Sequence, residues 1–142
     1  MCGIAGYAGP RVNGRLEAMV ARMVHRGPDD DGFFEDDRVH LGMRRLSIVD
    51  LEHGAQPKTS ADGGVVVLFN GEIYNHVELR AELAAAGAVF ESTSDTEVIL
   101  QGYLAWGLGV LERLIGMFAI SLYDRRRGEL LLIRDRLGKK AA

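Results

Sequence analysis

Residues 117–134 read Met117-Phe118-Ala119-Ile120-Ser121-Leu122-Tyr123-Asp124-Arg125-Arg126-Arg127-Gly128-Glu129-Leu130-Leu131-Leu132-Ile133-Arg134. Two apolar runs flank a charged turn that closes on glycine. This pattern predicts a β-hairpin with strands at Met117–Tyr123 and Glu129–Arg134. Upstream, Val65–Phe69 is a dense β-branched and aromatic run, read as a buried strand, and Asn70-Gly71-Glu72 after it reads as a sharp turn. Cys2–Tyr7, Gly32–Glu35 and Val39–Val49 read as further strands, and Val89–Glu91 as a short one. Asp50–Gly64, with Gly54, Pro57, Gly63 and Gly64, reads as loop.

Helices fill the intervals. In Arg15–Val24 the apolar residues Leu16, Met19, Val20 and Met23 recur at helical spacing on one face, and His25-Arg26-Gly27-Pro28-Asp29 breaks the pattern. His76–Ala86 stops at Gly87, a suitable C-terminal cap. Ser94-Asp95-Thr96-Glu97 matches a capping box and opens a helix that runs to Trp106 and ends at Gly107. Val110–Leu114 reads as one helical turn. Strands cluster in hairpins instead of alternating strictly with helices, which predicts an α+β fold with antiparallel sheets and packed helices.

The chain has 142 residues, of which 47% are hydrophobic and 26% charged, as expected for one globular domain over 1–142. With 17 Lys+Arg against 20 Asp+Glu the net charge is -3, too small to point to nucleic acid or an anionic membrane. Asp29-Asp30-Asp31 and Arg125-Arg126-Arg127 fall at expected turns and read as solvated loop tips. No apolar run approaches membrane-spanning length, and the first residues lack a signal-peptide pattern, so a cytoplasmic protein is expected. The lone cysteine excludes an intramolecular disulfide and fits a reducing compartment.

Several chemistries are excluded. His25, His40, His53 and His76 lack metal-ligand spacing, and there is no second cysteine to help them. Gly138-Lys139-Lys140 is no Walker A loop, Gly107-Leu108-Gly109 is not completed to a dinucleotide fingerprint, and there is no nucleophile elbow. Cys2 is the residue that stands out. A cysteine at most positions is a small buried hydrophobe. At position 2 it is small enough for an aminopeptidase to remove Met1, leaving a thiol and a free α-amine on one residue. The amine, with an ordinary pKa near 8, can serve as the base and the thiol as the nucleophile.

Acyl transfer also needs oxyanion donors. Asn70-Gly71 offers a side-chain amide beside an unobstructed backbone N–H, although the same pair taken alone is a turn signal. An amino-acid substrate needs one anionic and one cationic partner. Asp95 and Arg45 can supply them, although Asp95 alone reads as part of a helix cap and Arg45 as a surface arginine. Spacing does not choose between these readings.

Taken together, the motifs decide. The sequence resembles class II glutamine amidotransferases, most closely the N-terminal domain of glutamine-hydrolysing asparagine synthetases. The resemblance rests on Met1-Cys2-Gly3-Ile4-Ala5-Gly6, His25-Arg26-Gly27-Pro28-Asp29, Arg45-Leu46-Ser47-Ile48-Val49-Asp50 and Gln56-Pro57. It continues through Phe69-Asn70-Gly71-Glu72-Ile73-Tyr74-Asn75, Ser94-Asp95-Thr96-Glu97-Val98-Ile99-Leu100, Gly116-Met117-Phe118-Ala119 and Arg134-Asp135-Arg136-Leu137-Gly138-Lys139. It implies the N-terminal-nucleophile hydrolase sandwich, two antiparallel sheets between helical layers. It also implies hydrolysis of the glutamine side-chain amide through a Cys2 thioester. In that implied site Asn70 and Gly71 form the oxyanion hole, Arg45 holds the substrate carboxylate and Asp95 its α-ammonium. Glu72 helps to position the substrate, and the backbone of Leu46, Ile48 and Val49 lines the pocket.

Two departures accompany the resemblance. The family continues beyond the equivalent of Lys140 with Pro-Leu-Tyr and further strands, so the reading expects a C-terminally truncated or split form. The family's ATP-binding Ser-Gly-Gly-x-Asp-Ser loop is absent, so no cofactor is expected for this chain, and ATP and magnesium belong to a synthetase half that it lacks. The chain is then expected to act as a glutaminase or to feed a synthetase domain or subunit. The competing reading is a non-catalytic remnant or split subunit that needs such a partner. Relatives that amidate other acceptors stay open.

Overall fold

The computed structural model describes residues 2–46 and 55–140. A first strand, β1 (Gly3–Ala8), is followed by helix α1 (Arg15–Ala21) and the hairpin β2 (Asp30–Glu35) and β3 (Val39–Arg45). These strands form a three-stranded antiparallel sheet in the order β1-β3-β2. The short β4 (Lys58–Thr59), β5 (Val65–Ile73), β6 (Gly116–Asp124) and β7 (Glu129–Arg134) form a four-stranded antiparallel sheet in sequence order. Between β5 and β6 lie α2 (His76–Ala85), α3 (Asp95–Trp106), a 3-10 turn (Gly107–Gly109) and the one-turn α4 (Val110–Arg113).

Alternation along β5 explains the layering, because successive side chains point to opposite faces of a sheet. Val65, Val67 and Phe69 join Leu79, Leu83, Val98, Ile99 and Tyr103 in a core between the four-stranded sheet and the helices. Val66 and Leu68 turn the other way and meet Val39, Leu41 and Met43 of β3, with Cys2 and Ile4 packed against the same cluster. On the far side of the three-stranded sheet, α1 packs on β1 and β3. A Cβ at Gly42 would meet Val20 at 2.5 Å and Leu16 at 3.3 Å, so glycine there lets α1 lie close to the sheet. The result is the helix–sheet–sheet–helix sandwich that the sequence implied.

The structure corrects some boundaries. Asn70-Gly71-Glu72 is no turn: β5 runs through it to Ile73, with Asn70 opposite Ala119 and Gly71 opposite Phe118. Long-range pairing with β6 overrides the local turn preference of Asn-Gly. Val89–Glu91 is not a strand, because side chains take its backbone groups. Gln101 Nε2 donates to Val89 O at 3.1 Å, and the Glu91 N–H donates to Glu97 at 2.9 Å. The expected loop before Val65 contains β4, and α1 stops at Ala21, after which Met23 and Arg26 continue in i→i+3 turns. β3 ends at Arg45; the Ser47–Val49 part of the expected strand lies outside the described residues. Among the described residues no helix is long and apolar enough to cross a membrane.

Candidate active site

The β1–β3 register brings the start of the chain to one end of the sandwich. Gly3 pairs with Arg44, so Cys2 follows on beside Arg45 and Leu46. The half-buried Cys2 thiol lies 3.8 Å from the Leu46 carbonyl oxygen, and Arg26 Nε donates to Cys2 O at 3.3 Å. From the other sheet, Asn70 shares the face of β5 that Leu68 turns towards β3. It is 2% exposed. Among the described residues no hydrogen bond reaches its side-chain amide, and the amide is not one of the fully buried polar atoms left without a partner, so it faces the cavity.

Asp95 enters from the first turn of α3, whose cap is Ser94. The Ser94 hydroxyl accepts from the Glu97 N–H at 3.3 Å. The expected capping box is half realised, because the Glu97 carboxylate turns back onto Glu91 and Ser92 instead of Ser94. Arg80 of α2 fixes the same loop by donating to Ser92 O at 2.7 Å and Ser94 O at 2.9 Å. One Asp95 oxygen accepts the Ile73 N–H at 3.1 Å. Burial pushes the Asp95 carboxyl above its ordinary range, against the hydrogen bond from Ile73 and the nearby His76. Such a carboxylate gains from a cation brought to it.

Cys2, Arg45, Leu46, Asn70, Gly71, Glu72 and Asp95 all line one cavity of about 180 Å³. This is below the roughly 300 Å³ at the lower end for drug-sized ligands and suits a single small amino acid. Arg45 is 7% exposed and Glu72 is exposed at the rim. The expected residues Ile48 and Val49 lie outside the described residues. The cavity also includes Gln56, Phe69, Ser94, Thr96, Met117 and Lys140, to which the sequence reading gave no place in the site. Lys140 is 8% exposed, and among the described residues no ion pair reaches its ammonium. The only sequence signal for it was the charged block after the last strand. Among the described residues no group of three or more His, Cys, Asp and Glu is placed to hold a metal ion.

A thiol, an unspent amide, a buried cation and a buried carboxylate around an amino-acid-sized cavity between two sheets define a candidate acyl-transfer site. The family model for the glutamine amidotransferase domain matches residues 1–141, and the chain belongs to that family. It is 43% identical over 147 residues to asparagine synthetase [glutamine-hydrolyzing] 2 of Bacillus subtilis (strain 168), a match covering 99% of this chain and 19% of that protein. It is 47% identical over 116 residues to asparagine synthetase B [glutamine-hydrolyzing] of Escherichia coli (strain K12), covering 82% of this chain and 21% of that protein. The chain therefore spans about a fifth of the length of these two relatives. Among solved structures, the glutamine phosphoribosylpyrophosphate amidotransferase from B. subtilis superposes with a TM-score of 0.75 at 17% identity, over 95% of this chain and 37% of that one. At that identity the likeness establishes the fold.

Proposed function

We propose that this chain hydrolyses the side-chain amide of L-glutamine to glutamate and ammonia through a thioester on Cys2. The observation that carries the reading is the convergence of Cys2, Arg45, Asn70 and Asp95 on one cavity, with the Asn70 amide unspent among the described residues. Removal of Met1 frees the Cys2 α-amine, which takes the thiol proton. Sulfur then adds to the amide carbon, and the Asn70 amide and Gly71 N–H stabilise the oxyanion. The C–N bond breaks and ammonia leaves with the returned proton. Water attacks the thioester, glutamate departs and the thiol regains its proton. Arg45 grips the substrate α-carboxylate with two bonds, and Asp95 receives the α-ammonium. Glu72 positions the substrate at the rim, and the backbone of Leu46, Ile48 and Val49 completes the wall.

The reaction balances with water alone, so it needs no metal or cofactor from this chain. By likeness to the asparagine synthetases, the ammonia would pass to a synthetase domain or subunit, where ATP and magnesium would activate the acceptor. A catalytic thiol must stay reduced, which supports a cytoplasmic setting, and a net charge of -3 supplies no attraction to nucleic acid or an anionic membrane.

The test is intact mass of the purified chain with and without a chloroketone analogue of glutamine, alongside glutamine-dependent ammonia release. Loss of Met1, one adduct on Cys2 blocked by excess glutamine, and ammonia release are expected. A Met1-free sample that shows neither a glutamine-protected adduct nor ammonia release would sink the reading in favour of a non-catalytic subunit.

A further inference from the structure

β4 stops at Lys58, which pairs with Val67 of β5. Continued in that register, Gln56 would face Phe69, but Pro57 between them has no N–H to extend a ladder. The Gln56 side chain takes over instead. Its Oε1 accepts the Phe69 N–H at 2.6 Å, and its Nε2 donates to Phe69 O at 3.1 Å. A carboxamide offers the same donor and acceptor as a peptide group, so this one side chain completes the edge of β5 one residue before Asn70. The other end of Gln56 is also confined. A Cβ at Gly32 of β2 would overlap the Gln56 carbonyl, so the backbone at Gln56 rests directly on the three-stranded sheet. Gln56 thus bridges the two sheets at the wall of the cavity.

We infer that Gln56 is a positioning residue: by closing the edge of β5 at Phe69 it holds the Asn70 amide where the oxyanion forms. Asn70 itself has no hydrogen bond to fix its side chain among the described residues, so its placement depends on the backbone that carries it. This role rests on the proposed glutamine hydrolysis.

The experiment is a double-mutant cycle on the full chain with Gln56→Ala and Asn70→Ala, read by steady-state ammonia release and by alkylation of Cys2 with iodoacetamide, with and without glutamine. Iodoacetamide reacts by displacement at its methylene carbon and builds no oxyanion, so its rate reports a competent thiol and protection by glutamine reports an assembled cavity. Gln56→Ala is expected to lower kcat by about 10-fold or more with KM within about 2-fold, since small misplacements of catalytic groups are costly. The alkylation rate should stay near wild type, and Gln56→Ala should cost nothing further in the Asn70→Ala background. Gln56→Glu keeps an acceptor for the Phe69 N–H and loses the donor. It should show the same loss in kcat, and it stands in if the alanine variant fails to fold.

Losses in kcat that multiply independently in the double mutant, or alkylation that falls in step with kcat, would overturn the positioning role and leave glutamine hydrolysis standing. A wild-type chain that releases no ammonia would overturn both.

Discussion

The Ile73 backbone N–H donates to the Asp95 carboxylate across 3.1 Å, tying the last residue of β5 to the first turn of α3. One such donor does not offset burial, and the carboxyl stays above its ordinary range. A substrate ammonium would supply the missing charge. Asp95→Asn keeps an oxygen for the Ile73 N–H and removes the charge. It is expected to raise KM for glutamine by about 10- to 100-fold, the range for a lost hydrogen bond to a charged group. kcat should change less, and steady-state kinetics check this. In the wild type, kcat/KM should fall on acidification as Asp95 is protonated, at a pH above the ordinary carboxylate range.

The same shift has a sign in stability. A carboxyl whose folded pKa lies above its unfolded one binds its proton more readily when folded, so stability falls as pH rises through that window. The cost of ionised Asp95 is full above its folded pKa and gone below its unfolded one. Ligand-free Asp95→Asn should therefore melt higher than wild type near neutral pH, with the gain vanishing on acidification. Thermal melts across pH measure it, and a lower neutral-pH midpoint for the variant would contradict the burial argument.

Asn70→Ala removes one amide from a cavity where it makes no structural hydrogen bond among the described residues. Folding should be little affected. Loss of one oxyanion donor is expected to lower kcat by about 100- to 1000-fold with little change in KM. Comparable losses in KM and in thermal midpoint would mean that the amide supports the fold and not the reaction.

The expected residues that line the cavity were named by the family resemblance, not by local signals. Cys2 alone stood out by position, while the Ser94 cap that the structure retains gave Asp95 the reading of a helix start and no more. Val65–Phe69 was legible as a buried strand from its dense β-branched and aromatic run, and the structure places it in β5. What was not legible depends on partners distant in sequence. Asn70-Gly71 carries a turn signal, and only β6, more than forty residues on, keeps it in a strand. Gln56 appeared as half of a dipeptide motif, and its bonds to Phe69 become visible only when β5 lies beside it. Val89–Glu91 has strand-like residues, yet Val89 is 77% exposed and no strand among the described residues pairs with it. Lys140 followed the last strand with no periodicity to place it, and it enters the cavity through the turn that Asp135 builds.

Gly71 owes its identity to space and not to turn geometry, since its φ is not among the positive values found at other glycines. A Cβ there would overlap the Met117 carbonyl and come within 2.7 Å of Phe118 Cα, both backbone atoms of β6. Gly71→Ala must force β5 from β6, and overpacking of this kind costs roughly 1–3 kcal/mol or more. Gly87 has φ +99 with nothing within 4 Å, so Gly87→Ala meets backbone strain alone, on the order of 1–2 kcal/mol. Denaturant unfolding should rank Gly71→Ala as no less destabilised, and only Gly71→Ala should lose glutamine turnover. Full activity in a folded Gly71→Ala chain would remove the close strand approach from the design of the site.

Asp135 holds the far wall. Its carboxylate accepts N–H bonds from Lys139 at 2.9 Å, Lys140 at 3.1 Å, Phe118 at 3.2 Å and Leu137 at 3.1 Å. These donors, the Lys139 N–H foremost, hold the carboxyl below its ordinary range despite its burial. A depressed folded pKa contributes stability above the unfolded pKa, and that stability is lost as pH falls through the folded one. Asp135→Asn can satisfy only one pair of these donors, because its NH₂ would face the other pair. The variant should melt lower than wild type at neutral pH and be less sensitive to acid, since the group that titrates is gone. Because the turn carries Lys140 into the cavity, alkylation of Cys2 by the chloroketone should also slow. Equal midpoints at neutral pH would show that the four bonds exchange with water at no cost. A lower midpoint with unchanged alkylation would separate the turn's support of the fold from its part in the site.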